Sequence, residues 1–186
     1  MNAGYYKLAK HIGCKCHQDL AAYFDGKSDK FMFDVSRNVA GLYQKRSAGW
    51  YLRCERMLYK VEKNDLRLRR NVIINGMRDT LHGQIDQVLV RQNRRFILDY
   101  KFTRKDTPTE AAADQVRQQI AYYAWLLNDP YCIGGIYIIA NMDTNDILEV
   151  RQFCFEEGEP KRALMRLLND LPGYENVNYE NIEVRP

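Results

Sequence analysis

The chain has 186 residues, of which 46% are hydrophobic and 28% charged, and its 28 Lys+Arg against 24 Asp+Glu give a formal net charge of +4. This composition is ordinary for a soluble globular protein and argues against a disordered chain, and the length suits one domain spanning residues 1–186. No apolar run approaches the roughly 18 residues of a membrane span, and the first residues lack a signal-peptide core. The small positive charge permits a nucleic-acid partner without requiring one.

The five cysteines, at positions 14, 16, 54, 132 and 154, cannot all pair, and their spacing is not that of a disulfide framework. We therefore expect a reducing compartment such as the cytoplasm.

Hydrophobic periodicity and turn signals predict helices and strands in a mixed order. Helical spacing covers Tyr5 to Asp25 and about Phe31 to Arg46, and the later helices are expected at about Thr107 to Asn128 and Pro160 to Leu171. The predicted strands are Trp50 to Val61, Leu66 to Ile74, Thr80 to Val90, Arg95 to Phe102, Cys132 to Ala140 and Ile147 to Phe155.

The turn and cap residues complete this prediction. Lys63-Asn64-Asp65 and Asn75-Gly76 are expected to form turns, and the second pair is a strong hairpin signal because both positions tolerate positive φ. Thr107, with Pro108 next and Glu110 three residues on, predicts the start of the third helix. Consecutive hairpins force antiparallel neighbours, so we predict an α/β fold with a mixed central sheet flanked by helices.

Two carboxylates and a lysine stand in apolar strands between Gly83 and Phe102. Asp99 and Lys101 are two residues apart and therefore point to the same face of their strand. A turn centred near Asn93 places Asp86 opposite residue 99 or 100, with Cβ atoms roughly 5 Å apart if Asp86 and Asp99 are direct partners. Carboxylates this close repel, and a divalent cation is the usual resolution. A buried salt-bridge network of the same three side chains is the alternative.

These residues resemble the PD-(D/E)XK nuclease superfamily, and specifically its RecB-like exonuclease branch. The resemblance rests on Gly83-Gln84-Ile85-Asp86 followed by Leu98-Asp99-Tyr100-Lys101, with a histidine helix before them and a glutamine–tyrosine helix after them. It implies a restriction-endonuclease-like core and hydrolysis of DNA phosphodiester bonds with one or two Mg²⁺ or Mn²⁺ ions.

The resemblance also implies roles for individual residues. Asp86, Asp99 and Lys101 would be the catalytic set, in which Lys101 positions the nucleophile or stabilises charge. The metal ligands would be Asp86, Asp99, His17 and the backbone carbonyl of Tyr100. His17 matches the family's Gly-x-x-x-His helix through Gly13, and the alternative is that it is only a partly exposed polar residue, as a lone helical histidine is by default.

The glutamine–tyrosine motif fits two registers, Gln118–Tyr122 and Gln119–Tyr123. At about 100° per residue Tyr123 lies on the apolar stripe of its helix and Gln119 near its edge, whereas Gln118 and Tyr122 point to the opposite side. We therefore choose Gln119 and Tyr123 as substrate-binding residues, with a purely structural tyrosine as the alternative.

Several basic residues are candidates for contact with DNA. Arg104 and Lys105 follow the Lys101 strand and are expected to grip the backbone next to the cut. The alternating segment Leu66-Arg67-Leu68-Arg69-Arg70 predicts a basic strand face that lines a channel or is simply solvated.

An iron–sulfur cluster, which some RecB-like nucleases carry, is not expected here. Such a cluster needs four converging thiolates, and only Cys132 and Cys154 occur late in the chain.

The sequence thus predicts a metal-dependent deoxyribonuclease, an exonuclease in recombination, repair or phage DNA processing, acting alone, as a homo-oligomer or with a repair partner protein. Two alternatives stay open: an endonuclease of restriction or defence type, and a non-catalytic nucleic-acid-binding module that kept the fold.

Overall fold

The computed structural model describes residues 14, 17–18, 21–22, 59–103, 105–141, 147–174 and 177–185. In chain order its elements are β1 (Lys60–Ile74), β2 (Met77–Arg91), β3 (Arg94–Thr103), α1 (Glu110–Leu127), β4 (Cys132–Asn141), β5 (Ile147–Cys154), α2 (Glu159–Asn169), a 3₁₀ turn (Tyr179–Asn181) and β6 (Ile182–Val184). Residues 14, 17–18 and 21–22 are also helical. No helix among these described residues is long and apolar enough to cross a membrane.

The strands form one six-stranded sheet in the order β5-β4-β3-β2-β1-β6. Only β3 and β4 pair in parallel, across the crossover through α1, and the other neighbouring strands are antiparallel. This mixed sheet with helices confirms the predicted α/β, restriction-endonuclease-like fold.

Both hairpins turn where the polar residues predict. Asn75 and Gly76 have φ of 49° and 81°, and Gln92 and Asn93 have φ of 48° and 64°. Two consecutive positive φ values match the right-handed twist of the strands that they connect.

The predicted turn at Lys63-Asn64-Asp65 is wrong, because β1 continues through it. The pairing with β2 slips between Val61 and Lys63, and Asp65 has a φ of 49°. The turn-forming residues therefore produce an irregular strand rather than a reversal, since the long partner strand β2 holds both halves in one ladder. The predicted helix at 31–46, most of the strand at 50–61 and most of the helix at 5–25 lie outside the described residues.

The start of α1 differs from the prediction by two residues. Thr109, not Thr107, is the N-cap, and its hydroxyl accepts a hydrogen bond from the Ala112 N–H at 3.2 Å. Either threonine carries a capping hydroxyl, so local chemistry alone does not choose between them. The helix ends as expected at Asn128, which adopts the left-handed conformation.

Helix α1 packs on one face of the sheet. Ile120 is fully buried there together with Ile85 and Ile97 of the central strands. A Cβ on Gly135 would stand 2.4 Å from Cγ2 of Ile120, so α1 rests directly on β4. A second buried cluster covers the opposite face, and it contains Tyr59, Leu89, Phe96, Leu98, Tyr100, Ile136 and Ile138.

The last residues close the other edge of the sheet, which the sequence did not predict. Strand β6 pairs antiparallel with the end of β1, with Ile73 opposite Glu183.

Helix α2 is joined to α1 by two hydrogen bonds from the Arg117 guanidinium to the Glu159 carboxylate, at 2.6 and 2.9 Å.

Candidate active site

The site is built where β2 and β3 separate. Their pairing runs from Arg91↔Arg94 to Gln87↔Leu98, which confirms the predicted offset of the hairpin. The next residue, Asp86, is outside this ladder, and one of its carboxylate oxygens accepts the Tyr100 N–H at 2.8 Å. A side chain thus takes the place of the next ladder hydrogen bond, and Asp86 lies in the fork between the two strands.

The alternation of β2 breaks at the same point. Ile85 and Val88 are three residues apart, yet both belong to the core under α1. A regular strand would place them on opposite faces. The interruption, which lies next to Asp65 on β1, lets Asp86 face away from α1 while Val88 returns to the core.

His17 reaches Asp86 from the helical segment near the N-terminus. Its Nδ1 lies 2.8 Å from Oδ1 of Asp86, and its ring packs edge-on against Phe102 with centroids 5.2 Å apart. Burial lowers the pKa of His17, but the charges of Asp86 and Asp99 and the Asp86 hydrogen bond outweigh it, so the pKa is raised. The structure therefore joins two of the predicted metal ligands.

Asp99 and Lys101 form the second pair, on the face of β3 expected from their spacing. Lys101 Nζ lies 2.8 Å from Oδ2 of Asp99, whose side chain is only 4% exposed. Burial raises the pKa of Asp99 to about 6; Lys101 opposes this and the nearby Asp86 adds to it. Burial lowers the pKa of Lys101, and Asp99 more than compensates, so that pKa is raised.

The donor set fits a hard divalent cation. Among the described residues, no group of three or more His, Cys, Asp or Glu side chains is already clustered as a metal site. Instead the carboxylates are held in two pairs, and Oδ2 of the buried Asp99, which is ion-paired with Lys101 at 2.8 Å, has no further partner among the described residues. Carboxylate oxygens suit Mg²⁺ or Mn²⁺, and a buried carboxylate with spare acceptor capacity suits a cation.

Gln119 and Tyr123 lie beside Lys101 on the sheet side of α1. Gln119 Nε2 donates to the Tyr123 hydroxyl at 2.5 Å, and burial, with Asp99 nearby, raises the pKa of Tyr123. Gln119, Lys101 and Lys105 line one cavity of about 270 Å³. The structure thus brings Gln119, Lys101 and Lys105 to one surface, with the buried Tyr123 hydrogen-bonded to Gln119.

The other register of the motif is arranged differently. Gln118 lines a separate cavity with Arg117 and Glu159. Tyr122 was expected on the outer side of the helix, and this is wrong: it is buried, and its hydroxyl donates to the carbonyl of His82 at 3.0 Å. The long β1–β2 hairpin extends past the sheet core and covers that flank of α1.

Two predicted substrate-binding residues follow β3. Lys105 is exposed, and its N–H donates to the Thr103 hydroxyl at 3.1 Å. Arg104 lies outside the described residues. The backbone carbonyl of Tyr100 stays a predicted ligand.

Asn64 and Gln87 belong to the site and were not predicted. Asn64 Nδ2 donates to the Ala21 carbonyl at 2.6 Å, and Gln87 Nε2 donates to Asn64 Oδ1 at 3.1 Å. Together they tie β1 and β2 to the segment that carries His17. A polar Gln87 directly before the apolar residues Val88, Leu89 and Val90 was the available signal, since a buried amide requires partners.

Comparison with known proteins identifies the class. A model of the PD-(D/E)XK nuclease superfamily matches residues 5–154. The chain belongs to this superfamily, and membership implies metal-dependent nuclease activity.

Among solved structures, the chain is similar to one described as the crystal structure of SSO0001. The two share 15% identity over 84% of this chain and 74% of that chain, with a TM-score of 0.42. At this level the similarity adds nothing to the family assignment. No curated protein matches the chain.

Proposed function

We propose that this protein is a Mg²⁺- or Mn²⁺-dependent deoxyribonuclease of the RecB-like branch, which degrades DNA as an exonuclease in recombination, repair or phage DNA processing. One observation carries the proposal: in a chain of the PD-(D/E)XK superfamily, the pairs Asp86–His17 and Asp99–Lys101 meet at the β2–β3 fork. A non-catalytic module would have no need of two adjacent carboxylates at this cost in desolvation.

Asp86, Asp99 and His17 are the residues that would hold the cation. When bound, it would supply positive charge to neutralise the phosphate in the transition state and acidity to activate water. The N–H of Tyr100 and the ring of His17 fix the carboxylate of Asp86 before any substrate arrives. Such preorganisation avoids reorganisation at the moment of reaction.

Lys101 supplies a fixed positive charge. Because Asp99 raises its pKa, the ammonium stays protonated at neutral pH. It is half-buried beside Asp99 and lines the cavity shared with Gln119 and Lys105. From there it is placed to hold a phosphate oxygen or orient the attacking water, while Lys105 contacts the backbone beside the cut.

The RecB-like assignment is supported by the order of motifs and by the Gln119–Tyr123 pair on the Lys101 side of α1. This support is what favours an exonuclease over a site-specific endonuclease.

The test is incubation with linear and closed circular DNA, single- and double-stranded, in Mg²⁺, Mn²⁺ or EDTA. We expect metal-dependent loss of linear DNA that Asp99→Ala and Lys101→Ala abolish. The matched control is Asp114→Ala, which removes an exposed carboxylate of α1. Absence of cleavage in every condition, or unchanged cleavage by Asp99→Ala, would refute the proposal that the protein is a nuclease. Cutting of closed circles would replace the exonuclease with an endonuclease.

A further inference from the structure

Three arginines and one histidine follow the outer face of the β1–β2 hairpin, and we call them the basic strip. They are Arg67 and Arg69 of β1 and Arg78 and His82 of β2, and all four are exposed. Arg69 is directly opposite His82 in the ladder. Arg67 is paired with Gln84 and Arg78 with Ile73, so the four side chains lie on one side of the hairpin, with the Asn71–Thr80 pair between His82 and Arg78.

This face is opposite α1. Leu66, Leu68 and Leu81 of the same strands turn to the core under the helix. The alternation of side chains then sends the odd residues of β1 and the even residues of β2 to the other side. The hairpin thus has one apolar face covered by α1 and one basic face.

The strip leads to the candidate active site. Arg78, His82 and Asp86 have the same parity on β2, and the alternation is regular until it breaks beyond Asp86. Eight residues separate Arg78 from Asp86, which corresponds to about 26 Å of extended strand. The strip therefore runs along β2 towards the Asp86 side of the fork between β2 and β3.

The arginines of the strip differ from others in the chain by what they contact. Within the described part of the chain, Arg67, Arg69 and Arg78 have no acidic partner, whereas Arg95 is paired with Glu62 at 2.5 Å. Arg70, on the helix side, donates to the Trp125 carbonyl at 2.7 Å and stacks on its ring. The charges of the strip are thus available to a ligand.

The acidic residues near the basic strip already have hydrogen-bond or ion-pair partners. Asp79 accepts hydrogen bonds from the Tyr174 hydroxyl and the Thr80 N–H. Glu183 pairs with Arg185 at 3.0 Å, and Asp65 accepts from Gln84.

A depression of about 560 Å³ lies at the end of the strip far from the fork, and its lining includes Asn71, Arg78, Thr80, His82 and Arg185.

We propose that the basic strip binds the phosphodiester backbone of the DNA substrate beyond the bond that is cut. This inference rests on the proposed nuclease function and adds a second contact region to it. The strip carries guanidinium groups, which match phosphate, and no Trp, Tyr or Phe on which bases would stack lies on that face between the Arg67–Gln84 and Ile73–Arg78 pairs. Binding there is therefore independent of sequence and sensitive to salt.

The test compares two triple variants in the cleavage-deficient Asp99→Asn protein with Mg²⁺. The strip variant combines Arg67→Gln, Arg69→Gln and Arg78→Gln. Fluorescence anisotropy with a labelled 30-base-pair duplex and its single strand, between 50 and 300 mM KCl, gives the affinity and its salt dependence. Far-ultraviolet circular dichroism verifies that each variant is folded.

The control variant removes the same charge elsewhere. Arg151→Gln, Arg162→Gln and Arg166→Gln lie on β5 and α2, away from the hairpin. We expect the strip variant to bind at least tenfold more weakly, and the slope of log K against log salt to become shallower by about 2–3, since each lost phosphate contact contributes about 0.7–0.9. The control should change neither by a comparable amount.

Three outcomes would refute the proposal that the basic strip binds DNA: equal losses of DNA affinity in both triple variants, an unchanged slope of log K against log salt in the strip variant, or tighter binding of polyglutamate than of DNA at equal charge. The last would assign the surface to an acidic protein. The two proposals fail separately. If the protein cleaves DNA but the strip variant binds DNA normally, the nuclease proposal stands and the proposal for the basic strip is wrong. If the protein binds DNA through the strip but cleaves no DNA, the proposal for the basic strip stands and the nuclease proposal is wrong.

Discussion

The buried carboxyl of Asp99 makes a specific prediction about stability and pH. Its folded pKa, about 6, is above the ordinary value of 3.8. The folded state therefore binds more protons than the unfolded state between these values, and the stability contributed by Asp99 falls as pH rises from about 4 to about 6. Asp99→Asn removes this titration, so the variant should gain stability relative to the wild type across that window.

The magnitude follows from the size of the pKa change. A rise from 3.8 to about 6 corresponds to about 3 kcal/mol. The side chain is 4% exposed, so solvent screening reduces this little. For a chain of this length about 3 kcal/mol shifts Tm by about 6–12 °C. Loss of the Lys101 partner adds a constant offset, because Lys101 stays charged throughout the window, and only the change with pH is diagnostic.

The assay is thermal unfolding of both proteins in EDTA between pH 3.5 and 7. Asp79→Asn is the matched control with the opposite sign. The Tyr174 hydrogen bond lowers the pKa of Asp79 below its ordinary value of 3.8, so there the wild-type advantage grows as pH rises towards about 4 and does not fall between pH 4 and 6. Saturating Mg²⁺, at about 100 times its Kd, should then stabilise the wild type at pH 7 by about 2.7 kcal/mol and Asp99→Asn far less.

A flat difference between wild type and Asp99→Asn from pH 4 to 6 would refute the reasoning about burial. Equal stabilisation of both proteins by Mg²⁺ would refute Asp99 as a ligand.

Three further predictions concern positions around the site and the sheet. Asn64→Ala removes the hydrogen bond from β1 to the segment that carries His17. We expect kcat to fall about tenfold in cleavage kinetics and the free energy of unfolding to fall by about 1–2 kcal/mol in urea. An unchanged kcat would contradict this role of Asn64. Gly134→Ala places a Cβ 2.1 Å from the Phe153 carbonyl oxygen and should cost about 1–3 kcal/mol in urea unfolding; a wild-type midpoint would rule out the close approach. Burial raises the pKa of Glu159, but Arg117 outweighs it and the pKa is lowered below its ordinary value of 4.5. Glu159→Gln should therefore cost up to about 1 kcal/mol at pH 7 and progressively less as the solution is acidified below that value, and a loss that does not shrink on acidification would exclude the ion pair.

Local chemistry predicted much of the sheet. The Asn75-Gly76 pair and the polar residues near Asn93 fix where the chain reverses, because few residues accept positive φ at two consecutive positions. Once a hairpin turn is known, counting outward gives the partners of each residue. The register of β2 and β3 was predictable for this reason, and so was the shared face of Asp99 and Lys101.

Other local predictions were incorrect because longer-range structure overrode them. Lys63-Asn64-Asp65 has turn-forming residues, yet its partner strand keeps it in the sheet. Tyr122 has the helical phase of an outer residue, yet the extended β1–β2 hairpin covers it. Propensity describes a segment in isolation, whereas burial depends on which distant segment lies against it.

The sequence by itself determined the mixed α/β class, the hairpin register and the acids and lysine at the fork, since these depend on short-range periodicity and turn chemistry. Only the tertiary structure decided that Asp86 leaves the ladder to accept the Tyr100 N–H, that His17 contacts it from 69 residues away, and that β6 closes the edge beside the basic strip. These features depend on how separate segments pack, and no local pattern encodes that packing.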